Sequence, residues 1–513
     1  MFEQNQMVDV NQLVALNDQL RKNADAIKKA AVGYQSNSVS GESLSPIVPQ
    51  SIEQTLANAS FTMKDIVCWN LIPKVQVTNT YHEYAVINEH GQNLDPFISE
   101  GGGEASAFGT TNSQYERKFI KIKYLAERRS ISDVGTLVGI LGSNPNGLAE
   151  ETERGTMSLL RKVEHQLFHG QEALNGQGFD GLLEQISRDT SSSYSEANGG
   201  KSFSANQTNL DGADLSSGVL HTVLGELAGI DRFGKADFIM CDPKVYAKLI
   251  KESTGAGRHD SLLLVNLLDQ GVQTFGAGPK IHIMGPFGPV PVIMAPFLNK
   301  QSAPPAAKSA DGFTLAAGDI TLSDVAIAPA SSKFDAAGDP DGHAGVFKYK
   351  IVAVTAKGYS NALDCGAGVD LNNQKVARLT IADATRLIAN DASSAGGPIL
   401  YFRIYRSGVG VDADYKLVEE IPAAQLRVGN VAGGAFAAGE KWDDHGNTRR
   451  DCSSVLIGQT DTLEFARLLD FLRRPTAELG AAKQFLLMLF GAAAVKVPSK
   501  NYVLRNANGK VVI

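Results

Sequence analysis

His165 and His169 stand four residues apart in VEHQLFHG, a spacing that puts both imidazoles on one face of a helix and could suit a zinc ion. A zinc protease of that pattern needs a carboxylate base directly after the first histidine, and Gln166 occupies that place. The pair is therefore expected to make polar contacts within the fold. Asp335, Asp339 and Asp341 cluster beside Gly342 in DAAGDPDGH, an oxygen-rich run that could hold calcium. The spacing misses the EF-hand loop and no glutamate closes it, so an acidic turn is expected. FGAGPK (Phe275–Lys280) lacks the glycine spacing and the Gly-Lys-Ser/Thr ending of a phosphate loop and reads as a turn. Cys68, Cys241, Cys365 and Cys452 are scattered with no Cys-x-x-Cys pair, which predicts buried thiols in a reducing compartment. No Ser/His/Asp or Cys/His grouping stands out. No catalytic residue, metal or cofactor is expected.

The elements around these residues are more informative than the residues. At 513 residues the chain has room for roughly two to four domains. A net charge of -7 argues against a surface dedicated to gripping nucleic acid. The start, MFEQNQMVDV, shows neither a basic segment nor an apolar run, so neither a secretory signal nor a removed propeptide is expected. The longest apolar stretch, FLLMLFGAAAV (Phe485–Val495), is too short to span a bilayer about 30 Å thick and reads as a buried strand. No membrane partner is predicted.

Along the chain, Val10, Leu13, Leu16, Leu20 and Ile27 fall at helical spacing, and Ser51–Lys64 reads as a second helix. From Lys74 to Arg129 two strand-like arms flank a glycine-rich tip, NEHGQNLDPFISEGGGEASAFGTTN. Val75, Val77 and Tyr81 are expected on one face of the first arm, with Gln76, Thr78 and Thr80 on the other. Arms of roughly 14 residues would reach about 45 Å, farther than a domain can cover with its own core. Pro145–Gly170 is the strongest helix, with Glu150, Glu151 and Glu153 in its early turns and an apolar stripe through Leu160, Val163, Leu167 and Phe168. Residues 215–298 alternate helix and strand as a compact α+β unit. From Gln301 to about Arg450 helix signals fade into short strands such as GVFKYKIVAVTAKGYS and ILYFRIYRSG, separated by turn clusters, which predicts a β-sandwich. From Asp451 helical and buried-strand character returns, so the sandwich is expected to be an insertion.

This order of elements resembles the major capsid proteins of tailed double-stranded DNA phages, the Hong Kong 97-type fold. GPFGPVPVIMAPFL is similar to the family's late axial strand pair, and FLLMLFGAAAVKVPSKNYVLRNANG to its closing peripheral strands. The resemblance implies an α+β fold with an N-terminal arm (1–50), a peripheral domain (51–210) and an axial domain (211–300). The peripheral domain would carry an E-loop hairpin (about 74–129) and a spine helix (about 146–170). An inserted all-β sandwich (301–450), similar to immunoglobulin or fibronectin type III modules, would precede a return to the axial and peripheral domains (451–513).

It also implies a structural protein, not an enzyme. Such a protein self-assembles through pentamers and hexamers into an icosahedral shell around double-stranded DNA, without sequence-specific binding. Scaffold, portal and decoration proteins are further implied partners. The implied place is the virion capsid, assembled in the host bacterial cytoplasm. Some members lock the shell through a lysine of the E-loop, but the tip from Glu89 to Asn112 has none, so non-covalent stabilisation is expected. One of Phe97 and Phe108 near the tip is expected to anchor on a neighbouring subunit, and Arg128, Arg129, Arg154 and Arg161 are candidate intersubunit contacts, with a solvated face the alternative. A nanocompartment shell of the encapsulin type is an alternative. A surface-binding or adhesive protein using the sandwich is another, and an enzyme of unrecognised type a third.

Overall fold

The computed structural model describes residues 62–510 except 91–111, 138–146, 175, 189–205, 230–231, 256–261, 265–280, 329–331, 336–342, 392–396, 432–433 and 477–481. The first expected helix, most of the second, the hairpin tip, FGAGPK, Asp339 and Asp341 lie outside the described residues. All described residues fall in the unit formed by Ala59–Val138 and Asn146–Ile513.

A short helix, α1 (Cys68–Leu71), leads into strand β1 (Lys74–Gln76), and β2 (Tyr81–Glu89) and β3 (Gln114–Lys121) form a two-stranded antiparallel hairpin. The hairpin is shorter than the sequence predicts. The returning arm breaks at Ile122, and β4 (Lys123–Ser132) leaves it to join a four-stranded sheet. Arms of nine and eight residues span about 30 Å. Val75, Val77 and Tyr81 differ in burial: Val77 is buried beside Ile122 and Ala466, whereas Val75 and Tyr81 are exposed.

After α2 (Asp133–Leu137), helix α3 (Gly147–His169) runs for 23 residues, about 35 Å, as its acidic start and apolar stripe predict. Its buried Leu159, Leu160, Val163, Leu167 and Phe168 share one core with Phe485, Leu487 and Leu489 of the four-stranded sheet. The helix approaches that sheet so closely that a Cβ on Gly155 would stand 2.5 Å from the Leu487 side chain. Glu164 is fully buried on the same helix and accepts hydrogen bonds from the backbone N–H groups of Val67 (3.0 Å), Cys68 (2.7 Å) and Trp69 (2.8 Å). Burial pushes its carboxyl up, and these three donors pull it part of the way back. One carboxylate thus fixes the chain entering β1.

Next come α4 (Leu182–Arg188), β5 (Gln207–Asn209), α5 (Ser217–Ala228), β6 (Phe238–Cys241), α6 (Pro243–Gly255), β7 (Leu262–Leu264), β8 (Ile281–Gly285) and β9 (Gly288–Met294). Ser216 caps α5 by accepting from the Val219 N–H, and Pro243 opens α6 where no backbone donor is needed. Leu220, Val223, Leu224 and Leu227 of α5 and Val245, Tyr246 and Leu249 of α6 pack in one core with Ile239, Val290 and Val292.

The insertion contains β10 (Ile320–Ala326), β11 (Gly345–Phe347), β12 (Tyr349–Thr355), β13 (Leu363–Asp364), β14 (Val369–Leu371) and β15 (Lys375–Ile381). A short helix, α7 (Thr385–Asp391), follows where no helix is predicted, and then β16 (Ile399–Arg406), β17 (Lys416–Pro422) and β18 (Lys441–Asp444). The sheets β10-β15-β18 and β13-β12-β16-β17 enclose a core that includes Phe347, Tyr349, Ile351, Leu379, Phe402 and Ile404. The fully buried Arg406 donates to Asp444 (3.0 Å) and to the Thr448 carbonyl (2.8 Å), and lies over the rings of Phe334 and Phe347.

The chain then returns as β19 (Cys452–Gly458), β20 (Leu463–Pro475), β21 (Ala482–Val495) and β22 (Tyr502–Asn508). The returning strands complete both sheets of the body, in the orders β1-β20-β21-β4 and β5-β22-β19-β6-β9-β8-β7. The helical character expected after Asp451 is not found: past that point the described residues hold strands and short 3₁₀ turns but no α-helix. LEFARLLDFLRRP is rich in helix formers, but its pairing to β21 and β1 overrides that preference. The expected α+β class is the observed one.

Replacing Glu164 with Ala would leave two buried donors (Cys68 and Trp69) and one half-buried donor (Val67) without an acceptor. The expected loss is about 3 kcal/mol or more, measurable as a lower urea midpoint at unchanged slope.

Candidate assembly surfaces and the inter-domain cavity

Because β2 and β3 pair directly, Tyr81 with Lys121, Glu83 with Phe119, Ala85 with Arg117 and Ile87 with Tyr115, their side chains share one face. That face is open. Tyr115 is 70% exposed, Phe119 67%, Tyr81 50% and Ile87 49%. Tyr81 and Phe119 meet edge to face at 6.1 Å. The opposite face carries His82, Tyr84, Val86, Glu116, Lys118 and Ile120, all half-buried or buried.

The four-stranded sheet has a similar asymmetry. Phe485, Leu487 and Leu489 point to α3, whereas Leu486, Met488 and Phe490 alternate to the other side. There they stand beside Arg128, Ala126 and Tyr124 of β4 and, at Met488, beside Leu472 of β20. Tyr124 and Leu472 are exposed, and Tyr124 packs edge-on against Phe490 at 4.8 Å. This second face is apolar at its centre and rimmed by Arg128 and Arg474.

Of the residues chosen from sequence, Phe97 and Phe108 lie outside the described residues. Arg129 donates to Glu127 and to Glu151 (3.0 Å), and Arg154 to Glu150 (2.9 Å), so both serve the chain's own helix and sheet. Arg128 is exposed on the outer sheet face and donates to Gln484. Arg161 is exposed on α3. The aromatics that sequence reasoning missed, Tyr115 and Phe119, sit on the arm, and their position opposite Ile87 and Glu83 carries the signal.

His165 and His169 stand with ring centroids 5.2 Å apart. The His169 Nε2–H donates to the Phe297 carbonyl (3.1 Å). Burial pushes His165 down to about 4 and His169 well below its ordinary value. Among the described residues no group of three His, Cys, Asp or Glu side chains is placed to hold a metal ion, and no helix is long and apolar enough to cross a membrane. Asp335 pairs with Arg449. All four cysteines are free and buried, as predicted.

The insertion joins the body through a polar neck. Gln301 donates to the carbonyls of Arg449 (2.7 Å) and Cys452 (3.1 Å) and accepts from the Asp451 N–H (2.7 Å), tying the outgoing and returning chains together. Among the described residues, no buried apolar cluster contains residues from both sides. Between them lies a cavity of about 780 Å³, lined by His169, Lys300, Glu419, Glu420, Ser453 and Arg505 among others. Lys300 reaches across to Glu420 (2.8 Å), which also accepts from Arg403 (2.9 Å). Burial alone would push the Glu420 carboxyl up, but the two cations hold it down at about 2. Glu419 has no such partner, and burial followed by the nearby Asp444 pushes it up to about 7.

No protein-family model matches the chain, and no curated protein does. Among solved structures it is similar to the holo-SrpI encapsulin complex from Synechococcus elongatus PCC 7942, at 11% identity and a TM-score of 0.39, over 89% of this chain and 95% of that one. It is similar to the capsid of an empty GTA particle at 11% identity and a TM-score of 0.44, over 92% of this chain and 99% of that one. The capsid of the cyanophage P-SCSP1u matches at 10% identity and a TM-score of 0.40, over 93% of this chain and 98% of that one.

Since the folded-state value of Glu420 lies below its ordinary 4.5, the stability it contributes is complete above that pH and is lost as pH falls towards 2. The contribution is on the order of 3 kcal/mol. Glu420→Gln should therefore lower the wild-type melting temperature at pH 7, with the gap closing by pH 2, as followed by calorimetry across that range.

Proposed function

We propose that this chain is a major capsid protein of the Hong Kong 97-type, which self-assembles through pentamers and hexamers into an icosahedral shell around double-stranded DNA. The carrying observation is that one chain presents exposed apolar side chains on two different faces. One is the outward face of the β2–β3 hairpin, with Tyr81, Ile87, Tyr115 and Phe119; the other is the outer face of the four-stranded sheet, where exposed Tyr124 and Leu472 flank half-buried Met488 and Phe490. Large aromatics remain exposed at a cost in solubility unless a partner covers them, and Tyr is among the side chains that dominate interface energies. A projecting face that fits a different face on the next copy makes a heterologous contact. Repetition of that contact closes rings.

In this reading the four-stranded sheet with α3 is the peripheral domain, the seven-stranded sheet is the axial domain, and the hairpin is the E-loop. The hairpin of one subunit lies over the outer sheet face of the next. The insertion is an immunoglobulin-like module, supported by its B–E type pair (β10 with β15) and its C′CFG-type order (β13-β12-β16-β17). It decorates the shell without building it. The chain works in the virion capsid, is assembled in the host cytoplasm, and makes no chemical change to a substrate. Its further partners are scaffold, portal and decoration proteins and the packaged DNA.

Phe119→Ser with Tyr115→Ser should leave the folding stability of the unassembled chain within about 1 kcal/mol of wild type. Assembly should weaken by about thirtyfold or more, as expected for loss of an interface hot spot. Electron microscopy and size-exclusion chromatography of the chain expressed alone and with scaffold provide the reading, and normal particle yield from the double variant would refute it. Removing residues 303–448 behind a short Gly/Ser linker should leave closed particles. The absorbance ratio of purified wild-type particles distinguishes a DNA-filled shell from a protein-filled compartment.

A further inference from the structure

The cavity between the insertion and the body holds two opposite charges that do not meet. Glu419 of β17 lines it from the insertion, and Arg505 of β22 lines it from the body. Each is near enough to act on the other's charge, yet neither forms an ion pair among the described residues. Arg505 is held by neutral partners: its Nε donates to Gln207 Oε1 (2.7 Å) and its Nη2 to Ser187 Oγ (3.0 Å). These two bonds fix the guanidinium plane and leave Nη1 without a hydrogen-bond partner among the described residues. Burial pushes the Arg505 guanidinium down from its ordinary value, and Glu184 and then Glu419 act against that from a distance. Ser453 of β19 also lines the cavity, and its buried Oγ has no partner. The remaining charges here are already paired, Lys300 with Glu420 and Glu420 with Arg403.

We propose that this cavity binds a small zwitterion of the amino-acid class, its ammonium group on Glu419 and its carboxylate on Arg505. A buried carboxyl and a guanidinium left unpaired on facing walls are costly as they stand, and a ligand carrying both complementary charges answers both at once. A simple amine would leave Arg505 unanswered, and a simple carboxylate would leave Glu419 so. A multivalent metal ion is disfavoured, because among the described residues no three His, Cys, Asp or Glu side chains converge. The guanidinium fork matches a carboxylate, and bonds between ionised partners are roughly twice as strong as neutral ones. The volume of about 780 Å³ is ample for such a molecule together with bridging waters. The Ser453 hydroxyl adds a polar group to the same wall. Because Glu419 belongs to the insertion and Arg505 to the body, the bound zwitterion ties the two together across a neck that shares no buried apolar cluster among the described residues. The site stands independently of the assembly reading.

The test is isothermal titration calorimetry of the full-length chain at pH 8, above the Glu419 value of about 7. Glycine, β-alanine and γ-aminobutyrate serve as probes, a series in which the two charges move progressively apart. Ethylamine and propionate are the controls that carry one charge each. At least one zwitterion is expected to bind with a dissociation constant of about 1 mM or tighter, and both controls about tenfold more weakly or worse. Glu419→Gln keeps the size of the side chain and removes its charge, and it should weaken the best zwitterion by about tenfold. Arg505→Met should do the same. If that variant does not fold, the comparison of the zwitterion with ethylamine in the wild type reports the contribution of Arg505 instead. The absence of saturable heat from all three zwitterions at about 10 mM would overturn the proposal. So would ethylamine binding as tightly as the best zwitterion, or undiminished binding in Glu419→Gln.

Discussion

The contact between α3 and one face of the four-stranded sheet is the constraint from which the rest of the body follows. It requires Phe485, Leu487 and Leu489 on one side of β21, and strand geometry then forces Leu486, Met488 and Phe490 to the other side. No register of β21 hides both sets, because a one-residue slip only exchanges them. Gly155 tightens the arrangement, since its missing side chain lets the helix settle against Leu487. Glu164 then draws the segment before β1 onto the same helix. The outer apolar face is thus a by-product of how the inner one is packed.

The insertion follows a different rule. Its core, around Tyr349, Ile351, Phe402 and Ile404, is its own, and its contacts with the body run through Gln301, Lys300, Glu420 and Lys416 with Asp451. Polar contacts of this kind fix a position with little shared apolar area, the usual arrangement between parts of a chain that fold separately. Beside the cavity Glu419 is buried without an ion pair among the described residues, whereas one residue along Glu420 is held by two cations. Neighbouring carboxyls on one strand therefore have opposite fates, set by which side of the strand meets Lys300.

Much of this was legible in the sequence wherever local pattern and final environment agree. The stripe through Leu160, Val163 and Leu167 gives α3 almost to the residue, and β6, α6, β8, β9 and β21 stand where apolar runs and prolines put them. The exceptions are long-range. The helix formers of LEFARLLDFLRRP sit in a strand because β1 and β21 flank it, and the returning hairpin arm stops at Ile122 because β21 captures β4. Arg129 and Arg154, expected from the sequence as intersubunit contacts, also pair within the chain with Glu127, Glu151 and Glu150. The exposed aromatics of β2 and β3 needed only the strand register, but the His82–Glu464 contact joins segments several hundred residues apart and has no local signature.

The returning segment has a consequence for timing on the ribosome. Strands β19 and β22 sit inside the seven-stranded sheet, and β20 and β21 form the middle of the four-stranded one. The four-stranded sheet cannot close until the chain has been synthesised to Val495, nor the seven-stranded sheet until Asn508, although the sandwich that precedes these strands can already be folded. A nascent chain still short of β21 therefore carries no finished outer sheet face.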